Sequence, residues 1–230
     1  MRTLEITTKI GCTNMCHYCP QAMLIDGYNG IEMMSIETYR KILENTPTDV
    51  RIDFSGFCEP FLNPATIDMM SYSAYDWHMV LYTTLTGWRD EYLQYFKNIR
   101  FDEIVFHEWP GVNKEWFKQK YELIKAANPS HTRYVVLEPQ WQWSRAGNVW
   151  DMEVKKGKFE CAFAGKNFDH NVVLPNGDVY LCCQDYGLKH KIGNLLETHF
   201  DKLDRSQIYE LSNREDSEAI CRKCELFREA

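Results

Sequence analysis

Three cysteines stand close together near the start of the chain, Cys12, Cys16 and Cys19 in the stretch GCTNMCHYCPQ. The spacing C-x3-C-x2-C gathers three soft sulfur ligands in one loop and supplies no fourth cysteine at a comparable distance. Structural zinc closes its tetrahedron with four protein ligands, for which His17, inside the loop, is the available addition. A cubane iron–sulfur cluster held by three thiolates instead leaves one iron open to a small molecule. It accounts better for a set of three.

A second set lies towards the end of the chain: Cys161, Cys182, and the pair Cys221 and Cys224 in CRKC. Between the first two, NVVLPNGDVYLCC places Pro175-Asn176-Gly177 between two apolar runs, which is a hairpin signal. Four thiolates complete either a zinc tetrahedron or a second cubane, and spacing alone does not choose between them. Cys182 and Cys183 are adjacent on a strand and face opposite ways, so one of them is expected to serve. Nine cysteines with no apolar export block at the N-terminus suit a reducing compartment, where C-x2-C holds metal more often than it forms disulfides.

The elements that must position these groups are legible as short β-branched or apolar runs alternating with amphipathic stretches, the pattern of a parallel sheet covered by helices. Strands are expected at 4–9, 51–54, 79–83, 103–106 and 134–137, and helices at 35–45, 64–75, 89–96 and 114–126. A helix is also expected near 202–211. Ser35 is a helix start and Asn128-Pro129 a stop. A parallel sheet carries its ligands at the carboxyl ends of its strands, and the Cys12 loop follows the first strand directly. From about residue 139 the chain loses its period and reads as a connection.

The C-x3-C-x2-C loop after a first strand resembles the signature of the radical S-adenosylmethionine (radical SAM) superfamily. That resemblance implies a [4Fe-4S] cluster on Cys12, Cys16 and Cys19 whose open iron chelates S-adenosylmethionine. Reductive cleavage then yields a 5'-deoxyadenosyl radical that abstracts hydrogen from a substrate. It further implies that Tyr18 contacts the adenine. FSGFCEPFLNP resembles the family's Gly-Gly-Glu-Pro segment, with Gly56 near the ligand, Glu59 on the methionine amino group and Cys58 in place of the second glycine. LYTTLTG resembles the Thr-Asn-Gly turn, which brings in Thr83 and Thr84, and VFHEWPG puts His107 and Glu108 on the lip at the fourth strand. As catalytic residues proper, none is assigned.

The second cysteine set resembles the C-terminal SPASM and Twitch extensions of the same superfamily, which implies an auxiliary [4Fe-4S] cluster on Cys161, Cys182, Cys221 and Cys224. The fold implied is α/β: a partial (β/α)6-type barrel over 1–150, then a small hairpin-plus-helix extension over 151–230. Too few residues separate Leu137 from Cys161 for the helix, strand and helix of a complete barrel, so the sixth repeat is expected to be reduced or missing. An electron donor such as flavodoxin or ferredoxin, and a small-molecule or peptide substrate, follow from the resemblance.

The balance of 44% hydrophobic and 26% charged residues over 230 is that of a folded globular chain. A net charge of -7 argues against general nucleic-acid binding. No apolar run approaches bilayer length, so a cytoplasmic protein with no membrane partner is expected. The basic residues Lys155, Lys156, Lys158, Lys189, His190 and Lys191 could receive an anionic substrate or form a solvated face. The competing functional class is a zinc or iron–sulfur module that acts through protein contacts without catalysis.

Overall fold

The computed structural model describes residues 1–14, 16–137 and 143–230. Five strands form a parallel array: β1 (Thr3–Ile6), β2 (Arg51–Phe54), β3 (Met79–Thr83), β4 (Glu103–Glu108) and β5 (His131–Val136). Each successive strand pairs with its predecessor. Between them run α1 (Gln21–Gly27), α2 (Ile36–Glu44), α3 (Thr66–Ser73), α4 (Leu93–Phe96) and α5 (Lys114–Ala127).

Side chains alternate across a strand, and here the alternation separates two environments. Leu4, Ile6, Ile52, Phe54, Met79, Leu81, Ile104 and Phe106 pack into the main core. Glu5, Asp53, Tyr82 and His107 point to the other face, where they line a cavity. Helix positions follow from caps and stripes. Ser35 Oγ accepts from Thr38 N–H at 3.1 Å and starts α2, which buries Tyr39, Ile42 and Leu43. Asn113 caps α5 in the same way, and Asn128 closes it by donating to the carbonyls of Phe96 and Ile99 at 2.7 and 2.9 Å.

The expected repeats are present with shifted bounds: β1, α2 and α3 are shorter than expected, β2 and β3 match, and β4, β5 and α5 are longer. The segment 89–96 divides into a 3-10 turn, Asp90–Tyr92, and α4, while the helix expected near 202–211 divides into a 3-10 turn, Phe200–Lys202, and α6 (Ser206–Asn213). The second break has a local cause: Asp204 Oδ1 accepts from Ser206 N–H at 2.9 Å and begins a new helix. Helix α1 was not legible, because it is a short helix that buries Leu24 alone and so shows no apolar period.

After β5 no sixth repeat follows. Residues 138–142, where the aperiodic connection begins, lie outside the described residues, and 143–158 contain no helix or strand. The chain re-enters regular structure at β6 (Phe159–Cys161), β7 (His170–Val173), β8 (Asp178–Tyr180), β9 (Lys191–Asn194) and β10 (Phe227–Glu229). The hairpin at Pro175-Asn176-Gly177 is β7 against β8, pairing Val173 with Val179. Strand β7 lies parallel to β1, with Thr3 opposite His170. One sheet therefore runs β5-β4-β3-β2-β1-β7-β8-β9, with a separate β6–β10 pair. It is a partial barrel, open at β5.

Candidate active site

Past β1 the cysteine loop is laced to its own ends. Cys12 N–H donates to Gln21 Oε1 at 3.3 Å, and Gln21 Nε2 donates to Cys19 Sγ at 3.4 Å and to the Phe57 carbonyl. Cys19 N–H reaches the Cys16 carbonyl at 3.0 Å, and the Tyr186 hydroxyl stands 3.4 Å from Cys19 Sγ. Cys12, Cys16, Cys19 and Tyr18 line a cavity of about 1630 Å³, measured with its open mouth. His17 is exposed and does not line it. Burial raises the Cys12 and Cys16 thiols.

Glu59 lies in the same cavity, after β2. Gly56 makes the turn that brings it there: its φ is +62°, and a Cβ would stand 2.3 Å from Thr7 Oγ1. The Glu59 carboxylate is buried and held by neutral donors only. Oε1 accepts from Thr83 Oγ1 at 2.7 Å and Phe61 N–H at 3.3 Å; Oε2 accepts from Thr84 N–H at 2.6 Å and Thr84 Oγ1 at 2.7 Å. Burial outweighs these bonds and pushes its pKa up to about 7. Cys58, half-buried, is pushed up to about 12 by desolvation and rests against Thr8 Oγ1.

Thr83 and Thr84 thus act on Glu59 directly. Asn14, which the sequence did not single out, ties the cysteine loop to the same turn: its Nδ2 donates to Thr84 Oγ1 at 2.8 Å and its Oδ1 accepts from Thr86 Oγ1 at 2.8 Å. His107 lines the cavity, and burial, followed by the charges of Arg133 and Arg145, lowers its pKa to about 4. The expectation for Glu108 is corrected. One residue further along β4 it faces away, bonded to the Tyr134 hydroxyl and 3.7 Å from Lys114 Nζ.

The inner face of the sheet carries paired charges. Glu5 meets His170 Nε2 at 2.7 Å and Ser55 Oγ at 2.9 Å, while Asp53 meets Arg51 at 2.6 Å. Burial would raise Glu5, but the hydrogen bond and charge of His170 hold it down at about 2. For Asp53 burial wins over Arg51 and the pKa rises to about 6. Neither strand residue was singled out by sequence, since a charge in a strand has no motif.

The second set surrounds a smaller cavity of about 590 Å³, lined by Cys161, Cys182, Cys221 and Cys224 with Phe168, Leu181 and Ile220. Burial and then the neighbouring thiols raise Cys182 and Cys221, and burial pushes Cys224 up to about 11. Among the described residues no three Cys, His, Asp or Glu side chains converge as one ion requires. Cys183 borders both cavities and contacts Glu5 on the larger one. The basic residues are engaged locally: Lys155 Nζ donates to the Cys224 carbonyl at 2.6 Å and Lys191 pairs with Asp178 at 2.6 Å. Neither lines either cavity.

Residues 161–225 match the SPASM family, an iron–sulfur cluster-binding domain. Nearly the whole chain superposes on three solved enzymes. BtrN, in complex with AdoMet and 2-DOIA, is 16% identical with a TM-score of 0.73, over 93% of this chain and 87% of that one. The enzyme anSMEcpe with bound AdoMet is 14% identical with a TM-score of 0.61, over 97% and 83%. Streptococcus suis SuiB, bound to its precursor peptide SuiA, is 10% identical with a TM-score of 0.53, over 97% and 69%. The chain shares the fold of these enzymes, and its last third matches the SPASM model. No curated protein matches the sequence.

The matched segment begins at Cys161 and contains every cysteine of the second set, which lines the smaller cavity. Its hairpin is joined to the parallel sheet through β1 and β7. Among the described residues no helix is long and apolar enough to cross a membrane.

Proposed function

We propose that the protein is a radical SAM enzyme that binds S-adenosylmethionine at a [4Fe-4S] cluster on Cys12, Cys16 and Cys19, with an auxiliary [4Fe-4S] cluster on Cys161, Cys182, Cys221 and Cys224. The observation that carries this reading is the convergence, in one cavity at the carboxyl ends of β1, β2 and β3, of a three-cysteine loop and a buried carboxylate with no ionic partner among the described residues. When bound, the cluster supplies the electron that cleaves S-adenosylmethionine and so the radical that abstracts hydrogen from substrate.

The donor sets support clusters. Zinc at about 2.3 Å from each thiolate would draw its sulfurs to within about 4 Å of one another, whereas both cysteine sets line cavities without converging on one point. Cys182 points into the smaller cavity with the other three, while Cys183 turns to Glu5, which supports Cys182 as the ligand.

The residues of the chain have separable tasks. Glu59 receives the methionine ammonium; Thr83 and Thr84 hold its two oxygens apart and aimed, and Gly56 lets the backbone pass close to β1. Tyr18, on the cavity wall, serves the adenine. Asn14 and Gln21 keep the loop from collapsing onto the carboxylate. His107, uncharged at neutral pH, offers a hydrogen bond to ribose or substrate. The electron comes from a donor of the flavodoxin or ferredoxin type, and the substrate is a small molecule or peptide admitted at the open side of the partial barrel.

Anaerobic reconstitution tests the reading. About eight iron and eight sulfide per chain are expected for two cubanes, and dithionite with S-adenosylmethionine should yield 5'-deoxyadenosine. Cys12→Ala should abolish that product, and Cys221→Ala should retain part of it. Zinc at both sets, or wild-type cleavage by Cys12→Ala, would refute the assignment.

A further inference from the structure

Two side chains between the cysteine sets have no work in the site described so far. Of the charged groups that line the larger cavity, Glu5 is paired with His170, Asp53 with Arg51 and Arg133 with Glu103. Besides Glu59, that leaves Arg145 without an ion-pair partner among the described residues. Its Nε donates to the Tyr18 carbonyl at 3.4 Å, and the rest of the guanidinium faces the cavity. The second is Gln184, which is 5% exposed and borders both cavities; its buried Oε1 has no hydrogen-bond partner among the described residues.

The backbone holds Arg145 there at a conformational cost. Arg145, Ala146 and Gly147 have φ of 54°, 55° and 80° in succession, a left-handed run that L side chains avoid. The turn is clipped from three sides. Ser144 N–H donates to Glu225, next to Cys224; Asn148 Nδ2 donates to the Gln184 carbonyl at 2.8 Å; Gly147 N–H donates to Ser144 Oγ at 3.0 Å. Strain maintained by bonds to the second cysteine region, with Arg145 Nε tied to Tyr18 in the first, presents a fixed fork of donors to the cavity.

We propose that Arg145 and Gln184 form the substrate subsite, and that the substrate is a small molecule carrying a carboxylate or phosphate for Arg145 and a neighbouring hydroxyl or amino group for Gln184. A planar guanidinium matches the two oxygens of such a group, and a buried amide oxygen left without a donor is satisfied by a ligand N–H or O–H. The surface lysines do not compete for this role, since none of Lys155, Lys156, Lys158, Lys189 and Lys191 lines the cavity. The proposal rests on the function proposed above, which assigns S-adenosylmethionine to Glu59 in the same cavity.

The test uses the reconstituted full chain and two titrations. Inorganic phosphate is followed by tryptophan fluorescence, for which Trp143 in the cavity wall is the reporter; S-adenosylmethionine is followed by the spectrum of the reduced cluster. Arg145→Gln should bind phosphate about tenfold more weakly and Arg145→Lys recover only part of the loss, while the S-adenosylmethionine midpoint moves by less than about twofold. Unchanged phosphate binding in Arg145→Gln would overturn the proposal. So would about tenfold weaker S-adenosylmethionine binding, which would make the anion the carboxylate of that cofactor. Loss of iron from the Cys12 loop in Arg145→Gln would also overturn it, leaving the guanidinium to balance thiolate charge. If the wild type shows no spectral response to S-adenosylmethionine, the functional reading fails, and the phosphate titration still decides the subsite.

Discussion

At the scale of single residues, the site depends on how buried carboxylates are compensated. Glu59 sits near a pKa of about 7 because burial dominates the bonds from Thr84 and Thr83. An ammonium ligand needs the ionised form, so S-adenosylmethionine affinity should rise with pH through about 7 and level off above it. Glu59→Gln should weaken binding about tenfold and flatten the profile, read from the spectrum of the reduced cluster. Glu5 is the opposite case, with its pKa held down from 4.5 to about 2 against His170. A depressed carboxylate contributes stability that is present above its unfolded pKa and lost as pH falls from about 4.5 towards 2. The raised imidazole of His170 limits the same interaction from the alkaline side, losing it as pH rises through its folded pKa. In urea melts, wild type should exceed His170→Gln by up to about 3 kcal/mol near pH 6, the gap narrowing below about pH 4.5 and closing only as pH approaches about 2. A gap independent of pH would show that the pair is not ionic.

At the scale of elements, the C-x2-C turn is built around Arg222. This side chain is 1% exposed, donates to Ser217 Oγ at 2.8 Å and to the carbonyls of Lys155 and Gly157 at 2.9 and 3.0 Å, and lies 5.1 Å from the Phe159 ring. It joins the aperiodic connection to the cysteine pair. Arg222→Ala would orphan several carbonyls at once and should cost about 3 kcal/mol by chemical denaturation, with iron retained at the Cys12 loop and lost from the SPASM domain. Loss of iron from both sets together would contradict this local role. Elements with a strong period or a cap, such as α2 behind Ser35 and α5 behind Asn113, were legible from residue pattern. Elements too short to show one, α1, β6, β9 and β10, were not.

At the scale of the molecule, the domain boundary expected near residue 150 crosses a continuous sheet, because β7 of the SPASM domain hydrogen-bonds to β1. The apo chain should therefore unfold in one transition, with tryptophan fluorescence and far-ultraviolet circular dichroism giving coincident curves. Two separated transitions would show that the shared edge is weak. The two cysteine groups and the alternation of strands with helices were determined by the sequence alone, since spacing and apolar runs are local properties of the chain. Tertiary structure decided which neighbours those residues meet. The turning of Glu108 away from the cavity, the contact of Cys183 with Glu5, the pairing of Glu5 with His170 and the placing of Arg145 on the cavity wall depend on facing directions and on contacts between segments far apart in sequence, for which no local pattern exists.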